Sequence, residues 1–318
     1  MNDKNVVIGI DTSNYTTSVA LMRTDGSLIA NLKRPLPVKE GERGLRQSDA
    51  VFSHVKNIPY IMEDVKAYMA DISPVAIGVS ARPRNLPGSY MPCFLTGLAV
   101  AKSIAGVFGV PLYEFSHQCG HLMAAIYSSG NSHFLSGEPF CAFHVSGGTT
   151  EILRVRFNGE EFVSELLGGT SDLNAGQVID RIGVKMGCSF PCGAVMEEMA
   201  LKNNKKIPSR PVKAKDFKIN LSGLENLASD LYCETNDASL VSAFVFEYIA
   251  KAIKCLADEY ESVYGKSKFL FAGGVMCNSI IKSALSKSFD AYFAERDMSS
   301  DNAVGIASLA LMKFKSKL

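Results

Sequence analysis

Short apolar runs alternate with polar turns and amphipathic segments along most of the chain. The runs at residues 6–10, 75–80 and 110–115 are bounded by turn-forming residues, which is typical of buried β-strands. Between the first two runs, apolar residues recur every three or four positions from Val51 to Met69, which predicts one face of an amphipathic helix. Strands that alternate with helices in this way predict an α/β protein in which helices cover the sheets.

A strand–turn–strand pattern occurs twice, at residues 6–23 and again about 135 residues later at 141–157. This repetition predicts two related lobes with a cleft between them. We expect an N-terminal lobe made of residues 1–118 plus 297–318, and a C-terminal lobe made of residues 119–296.

Composition excludes several other classes of protein. Apolar residues make up 47% and charged residues 20% of the 318, so we expect a globular protein rather than a disordered or coiled-coil one. A net charge of +1 gives no overall field that would attract nucleic acid or a membrane. We expect no membrane helix and no signal peptide, because no apolar run reaches about 18 residues and the N-terminal one is short. Eight scattered cysteines without a CxxC pair favour free thiols in a reducing cytoplasm.

Two histidines are candidate metal ligands. His117 and His121 are four positions apart, so a helix would place both on nearly the same side, within reach of one ion. A third ligand must come from elsewhere, and two polar histidines near a helix start explain the spacing as well. Gln118 stands where a zinc protease of the HExxH type has its glutamate, so that pattern is absent. Asp301 opens the last predicted helix, 302–314, where a carboxylate is a good N-cap in its own right.

Three turns place glycines or hydroxyl side chains directly after apolar strands: Asp11–Ser13, Ser146–Thr150 and Gly273–Val275. Backbone N–H groups of such turns can bind phosphate, although a simple hairpin explains each turn taken alone. Neither a P-loop nor a Gly-x-Gly-x-x-Gly fingerprint after the first strand is present. Asp172 and Asp180 belong to a further segment that ends as a helix, and a capped helix with a solvated aspartate is the alternative explanation.

Taken in order, these segments resemble one family across nearly the whole chain, the tRNA threonylcarbamoyladenosine transferases. The order and the spacing of the motifs both agree. The matching residues are Gly9–Ser13, His117, Gly120, His121, Val145–Gly148, Asp172, Gly176, Asp180, Ser222–Leu224, Ala272–Asn278 and Asp301–Ala303. The resemblance implies the two-lobed α/β fold of actin, Hsp70 and hexokinase (the ASKHA fold), with a nucleotide-binding cleft.

The resemblance also implies two cofactors. One divalent metal, iron or zinc, would be held by His117, His121 and Asp301. An adenine nucleotide would be the second, as AMP, ATP or an acyl-adenylate. The residues implied to bind it are Asp11, Ser13, Ser146, Gly147, Gly148, Thr149, Gly176, Asp180, Gly273, Gly274 and Asn278.

The implied function is metal-dependent transfer of threonylcarbamoyl from its adenylate to N6 of adenine 37 in tRNA. Tyr15 and Thr16 stand where the family has two acids, and Thr149 replaces a histidine, so the chain resembles a divergent paralogue with no evident general base. Two alternatives stay open: a non-catalytic nucleotide-binding scaffold that partners a transferase homologue, and carbamoyl transfer to another acceptor. A sugar or acid kinase of the same fold has less support, because it needs no histidine pair.

The implied partners are the adenylate substrate, tRNA and a homologous subunit of a tRNA-modification complex, with no membrane involved. The segment from Lys202 to Lys218 holds six lysines and one arginine against a single acid. This composition predicts a solvated surface loop, with electrostatic steering of tRNA as the alternative.

Overall fold

The computed structural model describes residues 4–13, 15–37, 45–70, 72–299 and 301–318. Within these ranges the strands are β1 (Asn5–Asp11), β2 (Thr16–Arg23), β3 (Leu28–Pro35), β4 (Ser73–Arg82), β5 (Leu112–Ser116), β6 (Phe140–Val145), β7 (Thr150–Phe157), β8 (Phe162–Thr170), β9 (Lys218–Ile219), β10 (Lys268–Ala272) and β11 (Asp290–Phe293). The helices are α1 (Gln47–Lys66), α2 (Phe94–Phe108), α3 (His117–Ser129), α4 (Ala175–Lys185), α5 (Gly193–Leu201), α6 (Ser222–Thr235), α7 (Ala238–Tyr264), α8 (Ser279–Ser286), α9 (Arg296–Ser299) and α10 (Val304–Lys315). Short 3₁₀ turns lie at Ser132–Leu135 and Gly274–Cys277.

The chain forms two compact units, each built on its own sheet. The first unit comprises Met1–Gly137, Phe157–Val163 and Asp297–Leu318. The second comprises Glu138–Arg156 and Ser164–Arg296. Both units combine strands with helices, which confirms the predicted α/β class.

The sheet of the first unit has the strand order β3-β2-β1-β4-β5. Strands β1, β2 and β3 are antiparallel neighbours, whereas β1, β4 and β5 run parallel to one another. Strand β1 is buried from Val6 to Asp11, which explains why its sequence is a nearly unbroken apolar run. Helix α10 packs on β1 and β4, and it also packs along α3. The chain end therefore lies beside the helix that carries both candidate histidines.

The sheet of the second unit has the strand order β11-β10-β6-β7-β8-β9. Strands β10 and β6 are parallel, so their carboxyl ends lie at the same edge of the sheet. The aromatic rings of Phe143 and Phe271 stack at 5.1 Å between centroids in the core beneath α7. Helix α7 is longer than the predicted helix at 244–260, because Asp237 caps it by accepting from the N–H groups of Ser239 and Leu240.

Among the described helices, none is at once long enough and apolar enough to cross a membrane.

Candidate metal centre and nucleotide-binding turns

Helix α3 places the two candidate histidines together in the first unit. It begins at His117 because the side chain of Ser116 caps it, accepting from the N–H of Cys119 at 3.2 Å. His117 and His121 then project one turn apart, with 2.9 Å between their Nε2 atoms. Both side chains are mostly buried, at 17% and 10% exposure.

Asp301 supplies a carboxylate to the same place. Its Oδ1 lies 3.6 Å from His117 Nε2 and 3.4 Å from His121 Nε2. Its Oδ2 accepts from the backbone N–H of Tyr15 at 3.3 Å, which orients the other oxygen toward the histidines. The structure therefore brings together the three residues predicted to hold a metal, although 180 positions separate His121 from Asp301 in the sequence.

The expected capping role of Asp301 is wrong. Helix α10 begins at Val304, and the side chain of Asn302 accepts from the N–H of Val304 at 3.0 Å. The N-cap residue is Ala303, and the Asn302 side chain, not Asp301, accepts from the first N–H of the helix. The Asp301 carboxylate remains directed at His117 and His121.

The spacing of these three atoms fits a single ion. A circle through points separated by 2.9, 3.4 and 3.6 Å has a radius of about 1.9 Å, so one position lies about 2.1 Å from all three, the length of a bond from zinc to nitrogen or oxygen. His117, His121 and Asp301 also form the one such cluster found in the described part of the chain. Two imidazoles and one carboxylate leave coordination positions for water or substrate, as in catalytic rather than structural sites.

Asp11 supports the cluster from behind. It is buried, and its Oδ2 lies 2.7 Å from His117 Nδ1 while its Oδ1 accepts from the N–H of Ser13 at 2.6 Å. A carboxylate on the far nitrogen of a metal-binding histidine fixes its tautomer and ring orientation. Asp11 ends β1 and His117 follows β5, so the parallel strands of this sheet bring the two residues to one edge. The predicted roles of Asp11 and Ser13 in nucleotide binding stay predictions.

The negative carboxylates of Asp11 and Asp301 and the positive imidazole of His117 stabilise one another's charged forms. Burial by itself would raise the pKa of the Asp11 and Asp301 carboxyls, but interaction with His117 outweighs it and lowers both pKa values. Burial would lower the pKa of His117, but the two carboxylates outweigh it and raise this pKa to about 10. Two ionised carboxylates thus hold a proton on His117, and a divalent cation would displace that proton on binding.

In the second unit, the turn at residues 146–149 lies against the start of α4. The Gly176 N–H donates to the carbonyl of Ser146 at 3.2 Å. A side chain at Gly176 would place its Cβ 2.7 Å from the Cα of Gly147, so only glycine allows this approach. The turn that follows β6 thereby presents Ser146, Gly147, Gly148 and Thr149 beside a helix N-terminus, which favours anion binding.

The turn after the neighbouring parallel strand β10 contains Gly273, Gly274 and Asn278. Asn278 caps α8 with its oxygen, which accepts from the N–H groups of Ile280 and Ile281. Its buried Nδ2 donor has no hydrogen-bond partner among the described residues. An unpartnered buried donor is costly, so a ligand acceptor here would satisfy it.

Asp180 lies on α4, half-buried. Its Oδ1 accepts from the backbone N–H of Cys192 at 2.8 Å, and burial raises the pKa of its carboxyl. One carboxylate oxygen is therefore committed to the protein. The predicted contact of its second oxygen with a ribose stays a prediction.

Asp172 has a structural task in the second unit. Its carboxylate accepts from the N–H of Leu221 at 2.8 Å and from the N–H and hydroxyl of Ser222, at the start of α6. Asp172 is an exposed residue, and the partial burial of its carboxyl by itself would raise the pKa. The hydrogen bonds outweigh this effect and lower the pKa of Asp172 from 3.8 to about 2.

We expect Asp172→Asn to lower the free energy of unfolding at pH 7 by about 1 kcal/mol, a value reduced for solvent screening. A lowered folded pKa stabilises the protein fully above pH 3.8, and this stabilisation is lost as the pH falls through about 2. Denaturant titrations should therefore show the wild type and variant converging between these pH values. The exposed Asp230→Asn is the charge-matched control, and a pH-independent difference for Asp172→Asn would contradict the assignment.

The two sheets and their helices define the class of protein. Solved structures of the ASKHA type are similar over almost the full chain. The (R)-2-hydroxyglutaryl-CoA dehydratase component A of Acidaminococcus fermentans has a TM-score of 0.55 at 15% identity, covering 98% of this chain and 99% of that one. A ROK family glucokinase from Streptomyces griseus, solved with glucose and AMPPNP, has a TM-score of 0.53 at 13% identity, covering 96% and 99%. These similarities confirm the predicted fold and show the fold alone.

Sequence comparison gives the particular family. The profile of the tRNA N6-adenosine threonylcarbamoyltransferase (TsaD) family matches residues 48–308, and the chain belongs to this family. A relative of that name from Campylobacter fetus subsp. fetus is 28% identical, covering 98% of this chain and 93% of its own. Another from Ligilactobacillus salivarius is 26% identical, covering 98% and 92%. The resemblance found in the sequence is confirmed.

Proposed function

We propose that the chain transfers a threonylcarbamoyl group from an adenylate to N6 of adenine 37 in tRNA, with one divalent metal per subunit. The observation that carries the proposal is the cluster of His117, His121 and Asp301, supported by Asp11, in a chain of this family. Zinc or ferrous iron held by this ligand set would act as a Lewis acid on the carbonyl of the threonylcarbamoyl group.

The residues of the chain have distinct tasks in this proposal. Asp11 fixes the His117 ring, and Tyr15 fixes the Asp301 carboxylate through its backbone N–H. The turns at residues 146–149 and 273–278 hold the AMP portion. The N6 amine forms a C–N bond to the carbamoyl carbon as the C–O bond to AMP breaks. AMP leaves with the bonding electron pair, and one N6 proton is lost to solvent, since Tyr15 and Thr16 provide no acid side chain to accept it.

The direct test supplies the metal-loaded chain with threonylcarbamoyl-adenylate and tRNA, followed by mass spectrometry of the digested nucleosides. We expect threonylcarbamoyladenosine from the wild type and none from Asp301→Ala. The exposed Asp297→Ala removes an acid four positions away and should leave the product unchanged. No product from metal-loaded wild type, alone or with a homologous transferase subunit, would reject catalysis.

Carbamoyl transfer to another acceptor is the second candidate, favoured by the residues at positions 15 and 16. Neither Tyr15 nor Thr16 is an acid, and the backbone N–H of Tyr15 binds Asp301 directly. A changed residue therefore stands beside the metal ligands. Release of AMP without modified tRNA, in the same assay, would select this candidate. Binding to a transferase homologue with no release of AMP would select the scaffold alternative.

We expect Asp180→Asn to weaken AMP binding about tenfold or more, by loss of a charge-assisted hydrogen bond to the ribose. The asparagine retains one oxygen for the Cys192 N–H, so the loop should stay in place. Isothermal titration calorimetry of AMP measures the effect, with the exposed Asp230→Asn as control. Equal affinities for wild type and Asp180→Asn would remove the ribose role.

A further inference from the structure

The segment Lys202–Lys218, named here the basic strap, concentrates positive charge. Its seven basic side chains and one acid give a net charge of +6, while the whole chain carries +1. The rest of the molecule is therefore net negative by five charges. The basic side chains of the strap are exposed, whereas its apolar residues Ile207, Val212, Ala214 and Phe217 pack against the core of the second unit.

The basic strap is fixed along helix α7. Lys251 Nζ donates to Ser209 Oγ at 3.3 Å, and the Cys255 thiol donates to the carbonyl of Val212 at 3.5 Å. Further along, Glu259 accepts from the N–H of Phe217 at 3.2 Å. The strap therefore follows α7 toward its C-terminal end. Its alternation of inward apolar and outward basic residues is that of an extended segment with one buried side.

The end of the strap brings two lysines directly opposite each other. Lys215 and Lys218 form an antiparallel bridge, joined by a two-residue turn at Asp216 and Phe217. Both turn residues have positive φ, 53° and 56°, in a region that a bulky residue such as Phe217 rarely adopts. Gly169 holds the turn by donating its N–H to the carbonyl of Phe217 at 2.8 Å. Like charges directly opposite each other are destabilising, so the fold maintains a repulsive pair that an anion would relieve.

Most of this charge is unneutralised. Within the described ranges, Lys205 has an ion pair with Asp237, whereas Lys206, Arg210, Lys213 and Lys215 have no carboxylate within salt-bridge distance. Phe217 stacks on Tyr264 and is not free to stack on a base. The surface thus offers cations for a polyanionic backbone and no aromatic platform.

We propose that the basic strap binds the phosphate backbone of the RNA substrate, independently of sequence. This inference rests on the proposed function, since it assigns the RNA of that reaction to one surface of the second unit. A substrate with closely spaced phosphates would neutralise several strap cations at once and release their counterions.

The test compares two variants that each lose four positive charges. The strap variant carries Lys206→Gln, Arg210→Gln, Lys213→Gln and Lys215→Gln. The control carries Lys4→Gln, Lys56→Gln, Lys287→Gln and Lys315→Gln, at exposed and dispersed positions. Fluorescence anisotropy with labelled tRNA, at about 50 to 200 mM salt, gives Kd and its salt dependence. Melting temperature and AMP affinity report whether each variant is folded.

We expect the strap variant to bind tRNA at least about tenfold more weakly, with a slope of log K against log salt reduced by about 2 to 3. The control should stay within about twofold, since dispersed exposed charges contribute little. Equal weakening in both variants, or no tRNA binding by the wild type, overturns the proposal. Strap-dependent binding to anionic lipid vesicles without tRNA binding overturns it in favour of a membrane surface.

The two proposals fail separately in these experiments. If the wild type modifies tRNA and the strap variant binds tRNA normally, the strap proposal fails while the proposed function stands. If tRNA binding depends on the strap and no modified nucleoside forms, the proposed activity fails while the strap proposal stands.

Discussion

Asp301→Ala is expected to reduce bound metal from near one ion per chain to less than about a tenth, with at least about a hundredfold loss of affinity. The variant removes one of three ligands and leaves two imidazoles, a set that binds divalent ions much more weakly. It also removes a carboxylate that holds the charge of His117. Elemental analysis after dialysis, and competition with a chelator, measure the change.

The fold should tolerate Asp301→Ala. The carboxylate makes one backbone hydrogen bond, to Tyr15, and it does not cap α10, whose first N–H donates to the side chain of Asn302. Loss of the Tyr15 contact and of one of the two carboxylates that face His117 costs about 1 to 3 kcal/mol, because Asp11 still pairs with His117. The melting temperature of the metal-free protein should therefore fall by several degrees without loss of the fold. Asp297→Ala is the matched control and should retain the ion. Full metal retention by Asp301→Ala would show that the ion is bound elsewhere.

Hydrophobic periodicity and motif order were sufficient to predict the fold class. The repeated strand–turn–strand unit corresponds to β1–β2 in one sheet and β6–β7 in the other. The spacing of His117 and His121 also predicted a shared helix face, because a helix has only one geometry at that spacing. Local sequence patterns therefore predicted features that the local backbone geometry determines, such as strands, helices and the shared helix face of the two histidines.

Features that depend on contacts between distant segments could not be predicted in this way. The contact of Asp11 with His117 requires β1 and β5 to end at one edge of a sheet, which no local pattern shows. The start of α10 at Val304, three positions after Asp301, was likewise not evident from the local sequence, in which Asp301 looked like a cap. The positive φ of Phe217 is held by hydrogen bonds with Gly169 and Glu259. A bulky residue such as phenylalanine rarely adopts this backbone conformation, so the local sequence does not predict it.

For Gly305→Ala, local helix propensity and the tertiary structure predict stability changes of opposite sign. Gly305 lies in α10, where helix propensity alone would make Gly305→Ala stabilising by about 0.5 to 1 kcal/mol. The structure places an added Cβ 1.9 Å from the carbonyl oxygen of Gly120 in α3, so the two backbones touch at this point. We therefore expect Gly305→Ala to be destabilising, by about 1 to 3 kcal/mol or more.

Metal binding should fall with Gly305→Ala as well, although no ligand is changed. Gly120 lies between His117 and His121 in α3, and Gly305 is four positions after Asp301. Forcing the helices apart by about 1 Å would stretch the distances from Asp301 Oδ1 to both imidazoles beyond the reach of bonds of about 2.1 Å. The control is Gly106→Ala in α2, where an added Cβ meets no atom within 4 Å, so propensity should prevail and stability should rise. Thermal melting should thus show a lower melting temperature for Gly305→Ala and a higher one for Gly106→Ala, and metal titration should show weaker binding only for Gly305→Ala. A stabilised Gly305→Ala that still binds metal would show that α3 and α10 do not meet at these glycines.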